Sequence, residues 1–208
     1  DGLKSIFKED TMPRGADGFL YLIAPFFGLI AGVATFAIIP LAAPIGDFTF
    51  QVTDIEPGLL FIFAITSLSV YGAVLAGTSS NSKFALLGGT RASAQMISYE
   101  VFMGLALIGV FMVYGTTRVS GIVDGQNEYW LGNLIPMWGV FTQPLGFVLF
   151  FTALIAETKR APFDAPEGES EIVAGYFLEY SGMRWSAFML AEYVALVGVA
   201  SLITTLFF

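Results

Sequence analysis

Glutamates occupy places in this chain where a bilayer would tolerate few charges. Glu100 is followed by the apolar run Val101 to Val113, and Glu192 lies between Trp185 and Phe208 in a stretch with no other acid. A carboxylate near the middle of a bilayer costs about 2.5 to 3.5 kcal/mol even on insertion scales, so each needs a partner, a wet cavity or a proton. A carboxyl buried without a cation titrates closer to neutrality and can hand protons on. The alternative for each is a hydrogen bond that ties two helices together. Glu157 closes another apolar run and opens the most distinctive segment, Glu157 to Met183, which holds Asp164, Glu167, Glu169, Glu171 and Glu179. A hydrated acidic loop would account for the charges alone. Pro162 and Pro166 stiffen the entry, however, and Phe163, Ile172, Val173, Tyr176, Phe177 and Tyr180 interleave the acids with apolar surface. If Glu167 to Glu179 is helical, Glu167 and Glu171 share a face and repel, raising one another's pKa as a proton-exchanging site requires.

The elements that must position these acids are membrane spans. The 208 residues are 56% hydrophobic and 12% charged, about half the charge of an ordinary soluble domain. Five runs are long enough to cross a bilayer, near 19–42, 57–77, 91–115, 135–156 and 185–208. The first contains Pro25 and the fourth Pro144 and Gly146, breaks that a bundle can absorb. An all-α polytopic integral membrane protein is expected, one membrane domain over 1–208, with 1–18 at the interface and an acidic loop at 157–184. Counting from Arg91, Glu100 lies about 14 Å along the third span, and counting from Trp185, Glu192 lies about 10 Å along the fifth. Eight of the nine Lys and Arg (Lys4, Lys8, Arg14, Lys83, Arg91, Lys159, Arg160 and Arg184) fall on one side of an alternating topology, against Arg118 on the other. That asymmetry puts the acidic loop on the cytoplasmic or matrix side. In Asp1 to Met12, Leu3, Ile6 and Phe7 share a face as in an interfacial helix, the alternative being a solvated linker.

The composition also excludes chemistry. There is no Cys and no His, hence no thiolate or imidazole to hold zinc, an iron–sulfur cluster or haem, and no Ser-His-Asp or Cys nucleophile. A net charge of -8 disfavours nucleic acid. Gly77-Thr-Ser-Ser-Asn-Ser-Lys83 lacks the Gly before Lys and the Ser or Thr after it that a phosphate loop needs. The chain opens on Asp1 and stops at Phe208 inside an apolar run, so it is expected to be part of a longer protein.

The stretch Ala156-Glu-Thr-Lys-Arg-Ala-Pro-Phe-Asp-Ala-Pro-Glu-Gly-Glu-Ser-Glu171, with Glu179-Tyr-Ser181 and Ala191-Glu-Tyr193, closely resembles the H subunit of bacterial NADH-quinone oxidoreductase, the counterpart of mitochondrial NADH dehydrogenase subunit one. Leu86-Leu-Gly-Gly-Thr-Arg-Ala-Ser-Ala-Gln95, Ser98-Tyr-Glu-Val-Phe102, Ala16-Asp17 and Ser79-Ser-Asn-Ser-Lys83 fit the same pattern. The resemblance implies about eight spans in the family, one before Asp1 and two after Phe208, in a multi-pass protein of the bacterial cytoplasmic or mitochondrial inner membrane. It implies a subunit of respiratory complex I, a proton-transporting translocase, that forms the membrane end of the ubiquinone or menaquinone chamber and the entry of the proton path. It carries Arg91, Arg160, Phe163 and Asp164 onto positions facing the quinone, and Glu100, Glu157, Glu167, Glu169, Glu171, Glu179 and Glu192 onto the acidic path. Lys159 departs from it, standing where Asn is common and adding a charge. The implied partners are the peripheral quinone-site and iron–sulfur subunits, adjacent membrane subunits, quinone and lipid. No redox centre or metal is expected in this chain. Membrane subunits of energy-converting hydrogenases share parts of the pattern. A secondary transporter would also use intramembrane acids but should show an inverted repeat. A plain membrane anchor leaves Glu100 and Glu192 without purpose.

Overall fold

A computed structural model describes residues 2–42, 45–46, 49–130 and 135–208, apart from the side chains of Trp130, Glu169 and Ser170. The elements are α1 (Gly2–Phe7), α2 (Gly18–Thr35), α3 (Gly58–Ser79), α4 (Lys83–Tyr114), α5 (Val119–Gln126), β1 (Tyr129–Trp130), β2 (Ile135–Pro136), α6 (Gly139–Thr142), α7 (Pro144–Glu157), α8 (Glu169–Ile172), a 3-10 turn (Gly175–Phe177) and α9 (Gly182–Phe207). Helices α2, α3, α4 and α9 are long and apolar enough to cross a membrane, and α7 is a shorter apolar helix. The fold is all-α and polytopic, with a single two-residue antiparallel strand pair among the described residues.

Helix limits differ from the apolar runs for local reasons. Asp17 caps α2, accepting from the N–H groups of Phe19 and Leu20 at 3.2 and 3.3 Å. That helix ends at Thr35 rather than near 42, because the chain turns at Phe36 to Ile38 and the Ala37 carbonyl accepts from the N–H groups of Val52 and Thr53. Helix α4 begins at Lys83 and runs 32 residues, so Arg91 stands within a helix rather than on a loop. It stops at Gly115, whose left-handed φ of 67° suits glycine. The run 135–156 is split between α6 and the 14-residue α7, because Gln143 leaves helical geometry and Pro144 starts a new helix at N1.

Small residues let the first three spans approach backbone to backbone. A Cβ on Gly72 of α3 would lie 3.0 Å from the Ala24 carbonyl of α2, and one on Gly89 of α4 would lie 2.9 Å from the Ala73 carbonyl of α3. One buried cluster, including Ile38, Leu59, Leu107, Ile122, Phe150 and Phe207, fills the end of the bundle below the 36–57 and 115–143 connections. A second joins Tyr21, Ala73 and Ala92 to Tyr176, Phe177, Tyr180 and Phe188. Loop aromatics thus belong to the core. Apolar side chains such as Ile30, Leu105, Leu149 and Val197 stay exposed around the spans, as lipid-facing positions do. On α1, Leu3, Ile6 and Phe7 are exposed while Ser5 is buried.

The connections sort into two ends. At one, the Thr11 N–H donates to Ser181 Oγ, Arg184 pairs with Asp10 at 3.0 Å and the Asp17 N–H donates to the Ser79 carbonyl. At the other, the Ser120 hydroxyl donates to Asp54, Arg118 approaches the same carboxylate at 3.6 Å, and the Gln126 amide donates to the Thr205 carbonyl.

Candidate functional site: a charge cluster between the acidic loop and the helices

The loop after α7 is anchored by groups that satisfy its backbone. Gln95 of α4 donates from Nε2 to the carbonyls of Ala156 and Phe163, at 2.8 and 2.7 Å, serving carbonyls beyond the reach of α7's own ladder. The Phe163 ring meets Tyr99 edge-on, centroids 5.5 Å apart. Farther along, Tyr180 stacks on Tyr21 at 4.0 Å. The Tyr21 hydroxyl donates to the Glu179 carbonyl and the Tyr180 hydroxyl to the Tyr21 carbonyl, at 2.7 and 3.1 Å. Burial pushes the Tyr180 phenol up to about 12, against hydrogen bonding to Ser79 and Ser80 and the charge of Arg184. Gly88 of α4 leaves room for the 3-10 turn, since a Cβ there would fall 2.5 Å from the Tyr176 nitrogen.

The continuous helix conditionally expected over Glu167 to Glu179 does not form. Gly168 (φ -39°, ψ 94°) stands before α8 and Val173, at φ 67°, ends it after four residues. Glu167 therefore sits in a turn, its N–H donating to the Asp164 carbonyl, and does not share a helical face with Glu171. The two acids go separate ways. Glu171 reaches Arg91 of α4 at 2.6 Å, a pair 64% and 36% exposed, which at that exposure is worth below about 1 kcal/mol. Glu167 turns to the interior, where burial raises its pKa above the ordinary carboxylate value against the opposing pull of Lys159 and Arg160, with Glu192 and Asp164 adding to the rise.

Around Glu167 the loop and the helices exchange charges. Arg160 Nη2 approaches Glu192 Oε1 of α9 at 3.3 Å, and its guanidinium stands 5.3 Å from the Tyr193 ring centroid. Lys159 donates from Nζ to the Tyr176 hydroxyl at 2.6 Å. Burial alone would lower the Lys159 ammonium, but Tyr176, Glu167 and Glu192 outweigh it and leave its pKa raised. The Tyr176 phenol is raised by burial, opposed by Lys159. Glu157 feels the charges of both Glu100 and Lys159, and Glu100 accepts a hydrogen bond from Ser67 of α3. Buried Glu157 Oε2, Glu167 Oε1 and Arg160 Nε have no hydrogen-bond partner among the described residues.

A cavity of about 110 Å³ runs from this cluster between α2, α3, α4 and α9. Gly28, Gly32 and Gly72 are among its lining residues, while Glu157, Lys159, Tyr176 and Glu192 make one end polar. That end has room and partners for ordered water. Among the described residues no group of three or more Asp, Glu, His or Cys could hold a metal ion.

Of the positions singled out in the sequence, Glu100, Glu157, Glu167, Glu192 and Arg160 thus come together. Arg91 and Glu171 form the outer pair, and Asp164 is exposed. The Glu179 backbone, rather than its carboxylate, makes the hydrogen bond to Tyr21. Glu169 lies outside the described side chains.

The NADH dehydrogenase family model matches residues 1–208. The chain belongs to that family. It is 47% identical over its full length to NADH-quinone oxidoreductase subunit 8 of Rhodothermus marinus, covering 59% of that protein. It is 44% identical to the NADH-quinone oxidoreductase H subunit of Bacillus cytotoxicus and 45% to H subunit 1 of Geobacter metallireducens, again over the whole chain and 58% and 62% of theirs. The chain spans about three fifths of the length of these curated relatives. Within this chain, sequence reasoning overlooked Tyr176 as a hydrogen-bond acceptor, Gln95 as the loop's anchor and Ser67 as the partner of Glu100. A serine placed to face an intramembrane glutamate is the one signal that helix pairing could have revealed.

Proposed function

We propose that this chain is the membrane subunit of a proton-pumping NADH:quinone oxidoreductase, forming the membrane part of the quinone chamber and the entry of the proton path. The observation that carries the reading is the unbroken run of interacting charges from the loop into the helices: Arg160 on Glu192, Lys159 among Glu167, Glu192 and Glu157, and Glu157 within reach of the charge of Glu100. The names of its relatives support the assignment of the complex.

In this reading Arg91, Arg160, Phe163 and Asp164 border the quinone head group on the cytoplasmic or matrix side, where peripheral subunits carrying iron–sulfur clusters deliver electrons. Quinone reduction takes up two protons. The charge left behind acts on Glu167, the interior acid of the loop, with Glu169, Glu171 and Glu179 supplying negative charge along the entry. Glu157, Glu192 and Glu100 then redistribute protons into the bundle, through water at the polar end of the cavity, and bias a two-state element in the neighbouring membrane subunits toward pumping.

The test is Glu192→Gln in the full-length subunit within the assembled complex. Gln preserves the shape but cannot titrate. Quinone reduction and proton translocation should fall together, while electron transfer from NADH to an artificial acceptor persists. Wild-type rates for Glu192→Gln, Glu100→Gln and Glu167→Gln in assembled complexes would sink the proton-path reading.

A further inference from the structure

One residue after the α7 C-cap, the chain passes through Lys159 at φ 54°, a left-handed conformation that a residue with a Cβ rarely adopts. The turn places Lys159 on the cavity wall with Glu157, Tyr176 and Glu192. Its ammonium donates to the hydroxyl of Tyr176, a residue only 4% exposed. Acids face this cation from three elements: Glu167 from the loop, Glu192 from α9 and Glu157 from α7. The surrounding charges are Arg160, paired with Glu192 and acting on Glu167, Asp164, acting on Glu167, and Glu100 of α4, acting on Glu157.

The geometry calls for a cation here. Glu157 and Glu167 each keep a buried oxygen with no hydrogen bond among the described residues. Such an oxygen is tolerated as an anion only when a positive charge is near. The Arg160 guanidinium pairs with Glu192 and acts on Glu167 as well, but the cation that acts on Glu157 is Lys159. A lysine suits the remaining task, being a compact point charge with three rotatable donors rather than a fork fixed on one partner.

We infer that Lys159, oriented by the Tyr176 hydroxyl, is a positioning residue: the internal counter-cation that opposes the burial of Glu157 and Glu167 and favours their ionised, proton-accepting forms. The inference rests on the proton-path reading of those acids. A proton arriving on Glu157 or Glu167 frees the ammonium for the other, so the two carboxyls titrate as a coupled pair.

The experiment uses the whole complex carrying Lys159→Met, which keeps the length and removes the charge, or Tyr176→Phe, which removes only the hydroxyl. Assembly is checked by native gel, and electron entry by NADH oxidation with an artificial acceptor. The acid limb of the pH profile of coupled quinone reduction should move up by about one to three pH units in Lys159→Met, and less, in the same direction, in Tyr176→Phe. Adding Glu167→Gln to Lys159→Met should shrink the displacement, because a carboxyl responsible for it is gone. Infrared titration should show protonated carboxyl signal persisting to higher pH in Lys159→Met. A purely structural lysine would lower the rate at every pH without moving the limb, and that result overturns the inference. If Lys159→Met does not assemble, Tyr176→Phe reads the same limb, and an unmoved limb there counts equally against it. An unmoved limb while Glu192→Gln is impaired sinks only the counter-cation; wild-type rates in the glutamine variants sink the proton path itself.

Discussion

Arg160 and Glu192, separated by 32 positions in sequence, meet with Nη2 and Oε1 3.3 Å apart, closing the acidic loop onto α9. The glutamate side chain is only 10% exposed and the arginine 41%. Removing the arginine therefore strands a largely buried carboxylate, while water can reach the guanidinium and limits what the pair is worth.

Arg160→Ala should lower coupled quinone reduction by about tenfold, below the full cost of stranding a buried charge because the arginine is half exposed. Electron transfer from NADH to an artificial acceptor should remain intact. Equal loss of both activities would signal failed assembly instead of a defect at the quinone end.

Sidedness is testable at Ala165, an exposed loop residue between Asp164 and Pro166. A cysteine introduced there should react with an impermeant thiol reagent only from the cytoplasmic or matrix face, following the eight-to-one Lys and Arg asymmetry. Labelling from the opposite face would reverse the topology.

Glu167 makes stability depend on pH in a defined direction. Its folded-state pKa lies above the ordinary carboxylate value, chiefly through burial. Its contribution is therefore fully present below that ordinary value and is lost as pH rises through the folded-state value. Thermal unfolding of the purified complex between about pH 4 and 9 should show Glu167→Gln gaining on the wild type toward the alkaline end. A constant difference across that range would remove burial of this carboxyl from the account.

At Glu100 the substitutions separate a hydrogen bond from a titration. Ser67→Ala deletes the donor to Glu100 and should cost about 1 kcal/mol of stability with proton translocation largely retained. Glu100→Gln should assemble yet translocate less. The opposite ranking in a proton-uptake assay would make Glu100 interhelical glue.

Much of this arrangement was legible beforehand, and the rest was hidden for physical reasons. Hydropathy located the spans because a bilayer demands long apolar helices whatever their tertiary partners. Their ends were less legible: the third span was expected to begin near Arg91, yet α4 begins eight residues earlier at Lys83 and carries Arg91 within it. The resemblance singled out the acids without saying how they group. That Glu167 turns inward and Glu171 outward depends on the backbone at Gly168 and Val173, and Val173 adopts a conformation its residue type disfavours. Lys159 looked like an isolated departure until the acids around it had been placed.

Gly88 offers a test of the loop's seating. A Cβ would meet the Tyr176 nitrogen at 2.5 Å and the Gly175 carbonyl carbon at 2.6 Å, and backbone cannot swing aside as a side chain can. Gly88→Ala should push the 3-10 turn off α4, destabilising the complex by about 1 to 3 kcal/mol and exposing the 175–180 backbone to hydrogen exchange. Unchanged protection there would mean that the contact is not close.

The 14 residues of α7 span about 21 Å, against a hydrocarbon core of about 30 Å. This helix alone leaves a deficit of roughly 9 Å, toward which α6 continues the apolar run across irregular backbone at Gln143. Such backbone survives only behind protein, and α6 has that shelter: a Cβ on Gly139 would fall 2.6 Å from the Leu206 carbonyl of α9. Lipid on the outer side of α7, against exposed Leu145, Val148 and Leu149, faces a hydrophobic mismatch, relieved by a locally thinned bilayer or by a neighbouring helix in place of lipid. The short helix thereby makes this flank the thin wall of the bundle.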